Sequence, residues 1–526
     1  MSNALTIIRS LIIYSLCLPL AIVLGYKLAM PMDAMSFTIV VMAVALPLIP
    51  LLLKHHHLML FLVWNTNAVL FFLPGRPGVF MVMAGVSLLI AVLQHTLNRN
   101  IRFVTVPSVV RPLIFLTLVI IVTANLTGGF GARLIGGSAY GGKRYFTLLA
   151  SILGYFALTC FRVPRDKSMM YVALYFLGGI STAVGNLAPF VDSRLYFIFA
   201  IFPVESLSFL QGGAAEDIFS MRLGGLAVAA STTVYYIFAR HGVRGLFDFS
   251  ETWRLSPIRF RGGLGFNNPW RPGIFLILVW IGLLGGYRST LLILALTFFI
   301  QFYLEGLFRT QLLPALILTA ILVFSVSLPM VHRMPIGIQR ALSFLPIEVD
   351  PVARYAAEST VEWRLQLWRS VLPMVPQYLL LGKGYSINGN ELEIAAGNEQ
   401  RTGVNTAETA ILAGDYHNGP LSVIIPLGIF GAIGFLWFLW AGYRVLLNNY
   451  RHGDPELRLV NTFILAFFLA RVMFFCAIFG AFYSELMVFT GLIGLSVSIN
   501  GGMRSAVAEP EEKPVFDQFK LVRAVR

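Results

Sequence analysis

Charge is what this sequence has least of. Charged residues fill 12% of the 526 positions, against roughly 25% in an average soluble domain. With 57% hydrophobic residues and a mean hydropathy of +0.77, a water-soluble globular domain is excluded and a polytopic membrane protein is required. Cysteine is almost absent too: Cys17, Cys160 and Cys476 lie far apart in apolar runs, so they build neither a disulfide framework nor a metal site. A nucleotide-binding loop is nearly matched by Gly137 to Lys143, but Arg144 stands where a Ser or Thr must reach the metal, and no strand precedes it. The stretch reads as a flexible glycine-rich loop. No internal repeat of the kind that builds transporters is found.

What charge there is has a pattern. Basic residues give a net charge of +14 and gather in short segments, among them Arg162 to Lys167, Arg240 to Arg271 and Arg444 to Arg458. Placed on one side of a membrane, these segments obey the positive-inside rule, which points to topology and lipid headgroups and away from nucleic acid. A window of about 20 residues predicts an all-α polytopic membrane protein of about fourteen transmembrane helices. The expected spans are 5–25, 34–53, 57–73, 78–97, 104–124, 144–161, 168–188, 223–240, 273–287, 288–307, 312–331, 420–446, 459–479 and 481–499, with 189–222 as a non-spanning surface segment. The organisation expected is an N-terminal bundle (1–331), a large extracytoplasmic loop (332–419), C-terminal membrane helices (420–500) and a cytoplasmic tail (501–526).

The polar stretch Val331 to Asn418 is the exception in this apolar chain, and it ends at His417, where a long apolar run begins. A titratable imidazole at a membrane boundary beneath an arginine-rich segment suits chemistry on a lipid-linked polar substrate. Within the stretch, Ser359 and Glu362 form a capping-box pattern opening an amphipathic helix that Pro373 and Pro376 end, with Leu365, Trp368 and Leu372 on one face. Arg364 lies one turn from Trp368, directed either at a headgroup-level ligand or, with Arg369, into ion pairs with Glu358 or Glu362. A glycine turn follows at Leu379 to Tyr385, suited to close backbone approach. A further arginine, Arg288, interrupts some 35 apolar residues and is expected at a tight turn beside Gly285 and Gly286.

These residues resemble the O-antigen ligase superfamily. His417, Asn418, Gly428 and Gly431 follow its histidine and paired-glycine signature. Arg288 with Leu292 resembles its arginine motif, and Arg364, Trp368, Gly382 and Gly384 resemble its loop motif. The resemblance covers roughly Pro272 to Gly434. It implies a glycosyltransferase of the C-type membrane fold, needing no metal or other cofactor. Such an enzyme moves a glycan from undecaprenyl diphosphate to a lipid or glycan acceptor on the outer, periplasmic face of the cytoplasmic (inner) membrane. His417 is the expected base and Arg288 and Arg364 the diphosphate-binding pair, supported by Asn418, Trp368, Arg369 and Tyr385. Asp415 is a candidate for tuning His417. An O-antigen or exopolysaccharide polymerase of the same superfamily is the close alternative, and a lipid-linked glycan transporter or flippase the distant one.

Overall fold

The computed structural model describes residues 34–73, 75–98, 103–128, 130, 139–204, 223–247, 270–388, 390, 394, 397 and 407–505. The expected first span, 5–25, lies outside them, as does the tail beyond residue 505. The chain divides into two compact units, Met1–Met59 and Leu60–Arg526; the site lies wholly in the second.

The fold is helical. Its principal helices are α1 (Ala34–Val63), α2 (Val79–Leu97), α3 (Pro107–Leu126), α4 (Gly142–Leu158), α5 (Ser168–Leu177), α6 (Gly224–Leu246), α7 (Trp270–Leu283), α8 (Arg288–Leu304) and α9 (Leu312–Ser327). The polar stretch follows with α10 (Ile336–Leu342), α11 (Pro351–Val371), α12 (Met374–Tyr378) and α13 (Ala407–Ala413). Three long helices close the chain: α14 (Gly419–His452), α15 (Arg458–Ala477) and α16 (Phe482–Asn500).

Six helical stretches among the described residues are long and apolar enough to cross a membrane: Val79–Leu97, Pro107–Leu126, Arg165–Phe190, Gly419–His452, Pro455–Ala477 and Phe482–Asn500. Shorter apolar helices run over Ile49–Val63, Arg271–Leu283, Arg288–Leu304 and Leu312–Val326. The protein is therefore a multi-pass membrane protein, although this is fewer long helices than the fourteen spans expected. One difference has a local cause. The stretch 64–73, expected to complete a span, folds back instead: Val69 bridges Gly78 and its N–H donates to Ile201 O at 2.8 Å. The described part of 189–222 is likewise broken into short helical turns up to Ile201.

Close helix contact explains the glycine content. Lipid tails are as apolar as leucine, so membrane helices associate through tight packing at small residues. Helix α16 packs on α4, and α14 on α3. A Cβ on Gly491 would lie 2.2 Å from Trp64 Nε1, and one on Gly434 2.8 Å from Phe115. Phenylalanines fill the seams between the last three helices, with Phe435 edge-on to Phe482 at 4.9 Å and to Phe475 at 5.4 Å.

The polar stretch departs from the sequence reading at α11. The helix starts at Pro351, eight residues before the expected capping box, with Asp350 as its N-cap accepting from Val352 N at 2.7 Å. An Asp cap followed by Pro at the first helical position is a complete start signal, which leaves Ser359 and Glu362 in mid-helix. Ala353, Ala357, Leu367 and Val371 turn inward, while Leu365 and Leu372, read as sharing one apolar face with Trp368, are exposed. Leu367 and Val371 seat on Tyr416, Leu421 and Ile425, fastening α11 to the foot of α14.

Candidate active site

Helix α14 is two helices in series. Gly428 breaks it with φ 67° and ψ −165°, two residues after Pro426. A break at membrane depth frees backbone groups that must find partners within the protein. The glycine turn of the polar stretch supplies them: Lys383 N donates to Ile425 O at 2.7 Å and Gly384 N to Pro426 O at 2.9 Å. In return, Ile429 N donates to Leu379 O at 2.6 Å. Gly382 and Gly384 hold φ of 78° and 75°, and a Cβ on Gly382 would come within 2.3 Å of Pro426 O. A Cβ on Gly428 would meet Leu380 O at 2.5 Å. The two glycine motifs, more than 40 residues apart in sequence, are thus two sides of one backbone junction.

The junction holds up the short half-helix Gly419–Leu427, whose N-cap is Asn418. Its side-chain Oδ1 accepts from Leu421 N at 3.1 Å, so Asn418 orients the half-helix that carries the histidine. His417, just before it, takes φ 48°, a left-handed conformation uncommon outside glycine. Both neighbours pin it there, because Tyr416 is buried and its carbonyl accepts from Trp368 Nε1 at 3.1 Å. Trp368 therefore positions the histidine through the backbone.

The imidazole sits between two rings the sequence did not single out, Trp363 edge-on at 5.1 Å and Phe479 at 5.2 Å. Its Nε2 lies 3.8 Å from Asp415 Oδ2. Burial lowers the His417 pKa below its ordinary 6.5; Asp415 opposes this and the nearby Arg364 charge adds to it. The neutral form of His417 is thereby favoured. Arg364 lies over Phe479, its Cζ 5.4 Å from the ring centroid. Burial, then the like charge of Arg288, lowers its pKa. Among the described residues neither Arg364 nor Arg369 forms an ion pair with Glu358 or Glu362.

Arg288 sits where expected, at the turn between α7 and α8, where Gly286 has φ 66° and lies 3.5 Å, by an added Cβ, from Gly337 of α10. That contact brings the C-terminal end of α10 to the guanidinium. Nη2 donates to Ser343 Oγ at 2.7 Å and Nε to Arg340 O at 3.4 Å.

Four buried polar atoms in this neighbourhood have no hydrogen-bond partner among the described residues: Trp363 Nε1, Arg364 Nε, Asp415 Oδ1 and His417 Nδ1. Each such atom costs about 1–3 kcal/mol when left unmet, so their clustering marks a place shaped for a polar ligand.

Residues 273–436 match the family model described as O-antigen ligase. This segment belongs to the O-antigen ligase superfamily. No curated protein matches the chain. The O-antigen ligase segment contains Arg288, Arg364, the Gly382 to Gly384 turn, His417 and the Gly428 break, and its relatives are membrane enzymes of the ligase and polymerase type. Two contributors to the site lie outside it. Phe479 comes from the turn between α15 and α16. Arg144, on α4, is 4.7 Å from the Tyr483 ring centroid and donates to Ala413 O, two residues before Asp415.

The remaining expected residues are placed apart from the imidazole. Tyr385 is buried and wedged edge-on against Tyr145 at 5.2 Å, its N–H donating to Tyr145 Oη at 2.9 Å and its Oη to Ser422 O at 3.4 Å on the half-helix that follows His417. Arg369 is exposed on α11, five residues and about 140° around the helix from Arg364. The glycine-rich loop before α4 is tied down at its end: Ala139 and Tyr140 pair antiparallel with Asn388 and Ile387.

Proposed function

We propose that the chain is a metal-independent glycosyltransferase that takes a glycan from undecaprenyl diphosphate and places it on an acceptor hydroxyl at the periplasmic face of the cytoplasmic membrane. The observation that carries this reading is the convergence of a half-buried histidine whose neutral form is favoured, two arginines without an ion-paired carboxylate among the described residues, and unmet polar atoms beside a membrane boundary. His417 Nδ1, which has no partner among the described residues, takes the proton of the acceptor hydroxyl as its oxygen bonds to the anomeric carbon. The bond from that carbon to the diphosphate oxygen breaks, and the lipid diphosphate leaves with its charge met by Arg288 and Arg364. Arg288 is pre-set by Ser343 and the Arg340 carbonyl. Asp415 steadies the imidazolium that forms.

The acceptor separates ligase from polymerase, and we favour the ligase. Deleting the gene should let full-length lipid-linked glycan accumulate, whereas loss of a polymerase would leave single repeat units. His417→Ala should reproduce the deletion pattern at normal membrane abundance, with transfer reduced about 10²–10⁴-fold. Normal glycan length and attachment in that variant would refute the assignment.

A further inference from the structure

The far end of α14 carries a second concentration of unusual groups. Arg444 lies 16 residues beyond the Gly428 break, about 24 Å along the second half of α14 and so towards the membrane surface opposite His417. There α14 packs antiparallel on α3. Phe115 meets Trp437 at 6.2 Å between centroids, and Leu116 closes on Gly434. One turn further out the two helices part around a groove of about 170 Å³ lined by Ser108, Arg111, Trp437, Trp440, Ala441 and Arg444.

Arg111 and Arg444 are exposed, and neither makes an ion pair or hydrogen bond with a described residue. Topology alone would account for two basic side chains near a membrane surface. It does not account for their meeting across a groove walled by two tryptophans, Trp437 and Trp440, that are 43% and 61% exposed on a lipid-facing surface. Indole rings settle at the headgroup level of a bilayer, and guanidinium forks match phosphate oxygens bidentately. Arg111 is in the second turn of α3, which sets its charge at that same level.

We infer that this groove binds the headgroup of an anionic phospholipid, its phosphate held between Arg111 and Arg444 and its glycerol region against Trp437 and Trp440. The site is independent of the glycan chemistry at His417 and survives if that reading fails.

The test uses the purified full chain in detergent, titrated with phosphatidylglycerol, phosphatidylcholine or inorganic phosphate and followed by native mass spectrometry and thermal unfolding. Phosphatidylglycerol should be retained and raise Tm. In the double variant Arg111→Gln/Arg444→Gln its binding should weaken about tenfold or more. Both side chains are exposed, so the lipid-free Tm should not change; if it falls, Arg444→Gln alone and Trp440→Ala provide the same comparison. Equal binding of phosphatidylcholine, unchanged phosphatidylglycerol binding in the variants, or equal stabilisation by inorganic phosphate would each overturn the proposal.

Discussion

Two partly buried arginines of this protein lie over phenylalanine rings at the same distance, and they are treated in opposite ways. Arg471 of α15 is 5.4 Å from the Phe467 centroid, and Arg364 of α11 is 5.4 Å from that of Phe479. In each the Nε is buried without a partner among the described residues. Arg471, however, faces the carboxylate of Glu485 at 3.1 Å, while Arg364 faces no carboxylate and feels a second cation, Arg288. The first arrangement is closed. The second leaves positive charge to be answered from outside, which is what a site for an anionic substrate requires and what mere anchoring of a helix would avoid.

The sharpest way to break this contrast is to remove the counter-charge that Arg471 has. Glu485→Gln leaves a buried cation unpaired and should cost about 3–5 kcal/mol of stability, read as a lower Tm in detergent. Surviving folded enzyme should still transfer glycan. At the other arginine the loss should reverse in kind. Arg364→Lys should cut transfer about 10²–10³-fold with little change in Tm, because one ammonium cannot replace a fork on two phosphate oxygens. Arg288→Lys should behave alike. Tolerance of lysine at both positions would make these arginines structural and erase the distinction.

A smaller effect probes how α11 presents Arg364. Asp350→Ala removes the N-cap and should cost about 1 kcal/mol, measured by thermal unfolding. Ser359→Ala, in mid-helix, should cost less. The smallest shift lies in the pH profile. Asp415 raises the His417 pKa and burial lowers it more. Activity should therefore fall on acidification only below about pH 6.5, and Asp415→Asn should move that acid limb to still lower pH. An upward shift would contradict the assignment of Asp415.

Much of the site was legible because its residues are chemically conspicuous. An arginine inside an apolar run, a histidine at the start of another and a Gly-x-Gly turn each violate the surrounding pattern, and Arg288, His417 and Gly382 with Gly384 fall where expected. The start of α11 was misread because Ser359 and Glu362 imitate a cap, while the true cap, Asp350, precedes a weakly patterned first turn. Trp363 and Phe479 were overlooked for a different reason. Aromatic residues are common in this chain, and only tertiary packing singles out the two that flank His417. The short 64–73 segment shows the same limit: hydropathy registers that it is apolar, not that Val69 bridges Gly78.

The junction at Gly428 has a consequence for motion. Opening the Gly382 to Gly384 turn away from α14 would expose Ile425 O, Pro426 O and Ile429 N together, at a depth where no water replaces their lost partners. The turn and the half-helix bearing His417 must therefore travel as one rigid piece or not at all. A lid that admits and releases lipid-linked substrate has to be sought in segments without such a staple. Helix α11 meets that condition only in part: Leu367 and Val371 are held by side-chain packing, but Trp368 Nε1 donates to Tyr416 O, a backbone group that a slide of the helix on the microsecond to millisecond scale would strand.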